Sequence, residues 1–172
     1  ISLLYQSRLT SRMPLRPAYC LFALLLAPLH AQADVFANPT KGYAVETPGG
    51  WRLAHPDFML MSSSGASLSE SDLPSHGPRS LEKISKTAGM IACIGADYRE
   101  TYEHFSLAGE NWNGIVSVFV EPTRTNRLPR HVLQLVTQQG ENFRLFYLAV
   151  PSREWAHDRT PFKDLLSRIR YH

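Results

Sequence analysis

The chain has 172 residues, 44% of them apolar, with 18 Lys and Arg against 15 Asp and Glu, a formal charge of +3. The excess is confined to Arg8, Arg12 and Arg16; from residue 34 onward there are 15 cations and 15 anions, which excludes the basic footprint of a nucleic-acid binder. The 139 residues after residue 33 are enough for one domain that folds without disulfide staples, and they contain a lone cysteine, Cys93.

Met13 and Arg16 open a segment whose apolar run, Tyr19 to Leu29, leads into Ala31-Gln32-Ala33 and the charge of Asp34. A basic start, a short apolar run and a small-residue site are the grammar of a secretory signal peptide cleaved near Ala33. The run is shorter than the roughly 20 residues a bilayer span needs. Residues 1–33 therefore read as an upstream extension plus a cleaved leader. Residues 34–172 read as one domain, periplasmic or secreted, with no transmembrane segment.

Val35 to Asn38 reads as extended, and Asn38-Pro39-Thr40-Lys41-Gly42 as a turn. Tyr43 to Thr47 alternates apolar and polar, which predicts a strand ending at Pro48-Gly49-Gly50. Trp51 caps the core, and Phe58-Met59-Leu60-Met61 has strand length. Residues 62–80 are Ser-rich, with Gly65, Pro74, Gly77 and Pro78, and predict a long surface loop. Leu81, Ile84, Ala88, Ile91 and Ala92 recur at helical spacing, predicting a helix from about Arg79 to Ala96 capped by Ser80. Tyr102 to Leu107 alternates, and the turn from Gly109 ends in Asn113-Gly114, a hairpin signal. Ile115 to Val120, Val132 to Val136 and Phe143 to Val150 predict three further strands, the last two joined by a turn at 138–142. Thr160 as N-cap and Pro161 at the first helical position open a final helix with Phe162, Leu165, Leu166 and Ile169 on one face and Lys163, Arg168 and Arg170 on the other, the last two also suiting the C-terminal dipole.

Short turns make the sheet antiparallel, and strands apolar on both sides need cover on both sides. The expected class is α+β, an antiparallel sheet with helices on both faces.

Chemistry is sparse in this pattern. His55, His76, His104, His131 and His157 show no ligand pair at helical spacing, so no metal site is assigned. Gly-x-Ser-x-Gly and a Gly-rich phosphate loop are missing, so no catalytic residue and no cofactor is assigned. Cys93, among Ile91, Ala92 and Ile94, reads as a buried, inert thiol. The polarised stretch is Arg124, Arg127 and Arg130, with no carboxylate between Glu121 and Glu141. It suits an acidic partner or an anionic headgroup, or serves only as a solvated connection. Trp112, in the hairpin turn, is the other candidate binding residue.

Phe36-x-Asn38-Pro39, Gly42-Tyr43-x-Val45 and Pro48-x-Gly50-Trp51 form a pattern that resembles the start of PsbP-like domains. So do Gly114 opening an apolar strand and the ending Pro161-Phe162-x-x-Leu165-Leu166-Ser167-Arg168-Ile169. The group is an α/β/α sandwich named for an extrinsic photosystem II subunit. It also includes a Ran-binding transport regulator and exported bacterial proteins of unknown role. The resemblance implies the sandwich fold and a non-catalytic role in binding or stabilising another protein. The leader has no Arg-Arg pair and no Ser-rich transit segment, so a thylakoid address is not implied. The expectation is an exported binding or assembly module with an envelope protein as partner. Two rivals stand beside it: a secreted hydrolase with a dispersed Ser/His or carboxylate site, including Ser64 or His104, and a small-ligand carrier with a pocket near Trp51 or Trp112.

Overall fold

Two antiparallel sheets carry the architecture of this computed structural model. It describes residues 33–71, 73, 80–92, 103–121 and 128–172, within a unit running Gln32–His172. The predicted leader, Cys93, His76, Arg124 and Arg127 lie outside the described residues, as do the two ends of the helix predicted from Arg79 to Ala96.

The smaller sheet has the order β1-β2-β10, with β1 at Asp34–Asn38, β2 at Tyr43–Thr47 and β10 at Ile169–Tyr171. The larger has seven strands in the order β3-β4-β5-β9-β8-β7-β6. These are β3 Trp51–His55, β4 Met59–Ser62, β5 Ser67–Ser71, β6 Glu103–Ala108, β7 Asn113–Glu121, β8 Arg130–Gln139 and β9 Asn142–Pro151. Helix α1 covers Leu81–Ala92, α2 Ser152–His157 and α3 Thr160–Ser167.

The two-sided strands behave as their composition requires. In β8, Leu133 and Leu135 join Val116, Val118, Phe146 and Leu148 in the main core. Val132, Gln134 and Val136, between them, are buried on the opposite face. There Ala88, Leu81 and Ile84 of α1 pack on Val136 and Leu145. Ser80 caps this helix as expected, its Oγ accepting the Lys83 N–H at 3.4 Å.

The main-core face departs from the expectation of a purely helical cover. It is sheltered by the small sheet, through Tyr43, Val45, Ile169 and Tyr171, together with Leu165 and Leu166 of α3. The final helix stops at Ser167, because Ile169 and Tyr171 pair with Val45 and Tyr43 instead of continuing the helical face. Its N-cap is Arg159, not Thr160, whose N–H is accepted by Asp158 Oδ1 at 2.9 Å.

The Ser-rich stretch also needs correcting. Residues 67–71 form β5, an interior strand between β4 and β9. Its lone aliphatic residue, Leu68, is fully buried opposite Leu148. Asn113-Gly114 opens β7 and pairs with Ala108 and Leu107, so the hairpin loop is 109–112. Phe58, in the β3–β4 turn, holds a left-handed φ of 60°. Its ring is anchored edge-on to Tyr43 with centroids 4.9 Å apart, which supplies the packing such a backbone needs.

Candidate functional site

Chain topology gathers polar chemistry at the two opposite ends of the larger sheet. At one end the β8–β9 hairpin meets the small sheet. Arg144 of β9 lies 5.5 Å from the ring centroids of both Tyr43 and Tyr171. Its Nη1 is 3.0 Å from Glu70 Oε1, and its Nη2 donates to the Lys41 carbonyl. Lys41 Nζ is 3.4 Å from the other Glu70 oxygen. The Glu70 side chain is 8% exposed, so this carboxylate depends on both cations. The Tyr171 hydroxyl is hydrogen-bonded to Thr137 Oγ1. Burial pushes the Tyr171 phenol up to about 12, with the Thr137 bond pulling the other way. Burial also raises Tyr43, against a smaller opposing effect of its Asn38 hydrogen bond. Sequence reading missed this cluster, which clasps the two sheets together.

At the other end, β6 begins, β7 finishes, β8 begins and β9 hands over to α2. His131 Nδ1 is 3.0 Å from Ser152 Oγ, and its ring stacks on Trp155 at 5.3 Å and 19°. Burial, then the positive charge of Arg159, lowers the His131 pKa, while Glu103 opposes the shift. Arg159 lies over the Trp155 ring at 5.2 Å and donates to Glu103 Oε1 at 2.7 Å. Lys163 sits 4.0 Å from the other Glu103 oxygen and 4.6 Å from the Phe105 centroid. Leu128, two residues before β8, is 84% exposed at the same end of the sheet. Among the described residues, the result is a layer of cations on aromatic rings, Arg159 on Trp155 and Lys163 on Phe105.

The predicted binding residues have distinct placements. Arg130 reaches back from β8, its Nη2 donating to the Gly65 carbonyl at 2.8 Å and lying 3.3 Å from Ser67 Oγ. It thereby ties down the turn into β5. Trp112 is buried, and its Nε1–H donates to the Ile169 carbonyl at 2.7 Å. A Cβ on Gly109 would lie 2.1 Å from Trp112 Nε1, and one on Gly114 2.9 Å from Cζ3, so both glycines are needed for the indole to fit. Trp112→Phe is expected to cost about 1–2 kcal/mol in urea unfolding, because it leaves the buried Ile169 carbonyl unpaired. A change below ~0.5 kcal/mol would contradict that role.

Ser64 and His104 are not brought together. Ser64 sits in the β4–β5 turn, and four strands separate β4 from β6, a span of about 24 Å at normal strand spacing. His104 Nδ1 instead meets Ser117 Oγ at 3.3 Å, and Ser117 meets Ser85 Oγ at 3.4 Å. Among the described residues, no group of three or more His, Cys, Asp and Glu could hold a metal ion. No helix among them is long and apolar enough to cross a membrane.

No protein-family model and no curated protein matches the sequence. Among solved structures, the chain is similar to the solution structure of cyanobacterial PsbP (CyanoP) from Synechocystis sp. PCC 6803. The TM-score is 0.55 at 15% identity, covering 85% of this chain and 96% of that one. At such identity the likeness speaks of architecture, and it agrees with the motifs in β1, β2 and α3. This chain has a PsbP-like fold.

Proposed function

We propose that residues 34–172 form a non-catalytic binding module that acts outside the cytosol by contact with another protein. The observation that carries the reading is Leu128, an exposed apolar side chain following Arg127 at the end of the sheet where Arg159 and Lys163 also lie. An apolar anchor that shares the end of the sheet with cations suits a partner with an acidic rim around an apolar pocket. Arg124 and Arg127, close to Leu128 in the chain, would supply the rim contacts, and Arg130 would hold the scaffold beneath; Trp112, at the opposite end of the sheet, would serve the core. Export is supported by the leader grammar at 13–33 and by β1 starting at Asp34, the residue after the small-residue site.

The test is retention from an envelope extract on the immobilised exported protein. The expected result is one acidic protein retained, with about tenfold weaker binding for Arg127→Glu and for Leu128→Asp. Equal retention by all three proteins, or binding only to anionic vesicles, would contradict the proposal. One observation favours the hydrolase instead: the 3.0 Å approach of Ser152 Oγ to His131 Nδ1. Labelling by a fluorophosphonate probe that is lost in Ser152→Ala would replace the binding reading with that one.

A further inference from the structure

The edges of the two sheets are not equally protected. Strand edges are templates for another chain, and proteins blunt them with charges, bulges or covering groups. The outer carbonyls of β10 are covered, Ile169 by Trp112 Nε1–H at 2.7 Å and Tyr171 by Asn111 Nδ2–H at 2.9 Å. Strand β3 has a register shift between Leu53 and His55 and carries exposed Arg52 and His55. Strand β1 opens on the charge of Asp34.

Among the described residues, strand β6 shows none of these devices along its second half. It pairs with β7 in unbroken register from Glu103 to Ala108 and, among the described residues, has a strand on one side only. Its first half is engaged, Glu103 with Arg159 and His104 with Ser117. Residues 106–108 are Ser-Leu-Ala, uncharged and without proline. Beside them lies a groove of about 500 Å³ between the first turn of α1 and the β6–β7 hairpin. Ser106, Ala108 and Ile115 lie along its hairpin side, and Leu81 and Glu82 along its helix side. Glu82 is exposed at the first turn of α1.

We propose that this edge is a strand-addition site for an extended segment of a partner protein. Among the described residues no strand pairs with the outer side of β6, and its main-chain groups suit another polypeptide in extended form. Alternate side chains of an added strand point to one face, so one of them enters the groove. A volume of this size takes an apolar side chain, and Glu82 selects a Lys or Arg near it. The guest is therefore an extended segment with one buried apolar residue and an adjacent base. The inference rests on the reading of this domain as a protein-contact module, but it uses a surface away from Leu128.

The probe is a displayed library of random linear peptides, selected against the exported protein. Enriched peptides should carry the apolar-plus-basic pattern, and their binding should shift and protect the backbone amides of residues 103–108. Ser106→Phe, an exposed substitution that fills the groove, should weaken them at least about tenfold. Glu82→Lys should turn selection toward acidic peptides. Arg127→Glu should leave peptide binding unchanged, which separates failure here from failure of the Leu128 surface. A library without enrichment, bound peptides that leave the β6 amides unmoved, or peptides indifferent to both Ser106→Phe and Glu82→Lys would overturn the proposal. So would peptides lost in Arg127→Glu.

Discussion

Arg144→Met is expected to destabilise the domain by about 3 kcal/mol, a fall in Tm of about 10 °C. The size follows from what remains. Glu70 stays 8% exposed, with only the half-exposed Lys41 left to neutralise it. A buried carboxylate stripped of its main partner loses more than the pair contributed, because desolvation is no longer offset. The loss also removes the cation between the Tyr43 and Tyr171 rings and the donor to the Lys41 carbonyl. Adding Glu70→Gln to Arg144→Met should recover about 1–2 kcal/mol, since a neutral amide needs no cation. Urea unfolding of the four proteins in this cycle measures the coupling. A loss below ~1 kcal/mol for Arg144→Met would mark the clasp as a solvated surface pair.

Alkaline pH should open the same joint. Tyr171 ionises near 10 in the unfolded chain and at about 12 when folded, chiefly because it is buried. Between these values the folded state holds a proton that the unfolded state has lost, so stability falls as pH rises. The contribution is complete below pH ~10 and is gone above about 12, a difference of about 3 kcal/mol for Tyr171. Tyr43, also raised by burial, adds to the slope in the same direction. Unfolding measured across this window should show the decline, and Tyr171→Phe should flatten it. Tyrosinate absorbance rising near pH ~10 for every tyrosine, with stability unchanged, would contradict the burial argument.

The sheet was legible where side chains obey one rule over several residues. In β6 the exposure alternates residue by residue, as Glu-His-Phe-Ser-Leu-Ala demands. Strands β7 and β8 are apolar on both sides and are buried on both sides. Strand β5 was hidden because Ser-Leu-Ser-Glu-Ser offers one aliphatic residue. Its glutamate becomes buriable through Lys41 and through Arg144, 74 residues further on. The end of α3 is hidden for a related reason. Ile169 has the spacing of a helical core residue, and only pairing with β2 makes it a strand. The second sheet, and with it the clasp, arises from the pairing of β2 with β10, far apart in the chain, which local periodicity does not encode. Arg130 and Trp112 were visible as residue types, but their bonds to Gly65 and Ile169 are tertiary facts.

The fold places its buried charge in joining two sheets and leaves Leu128 projecting from the opposite end of the larger one. Whether that projection meets a protein is tested most directly by a photo-crosslinking residue in place of Leu128, irradiated in the intact cell envelope. The account predicts one discrete protein adduct, lost when Arg127→Glu is added. Crosslinks to lipid alone, or a protein adduct indifferent to Arg127→Glu, would contradict it.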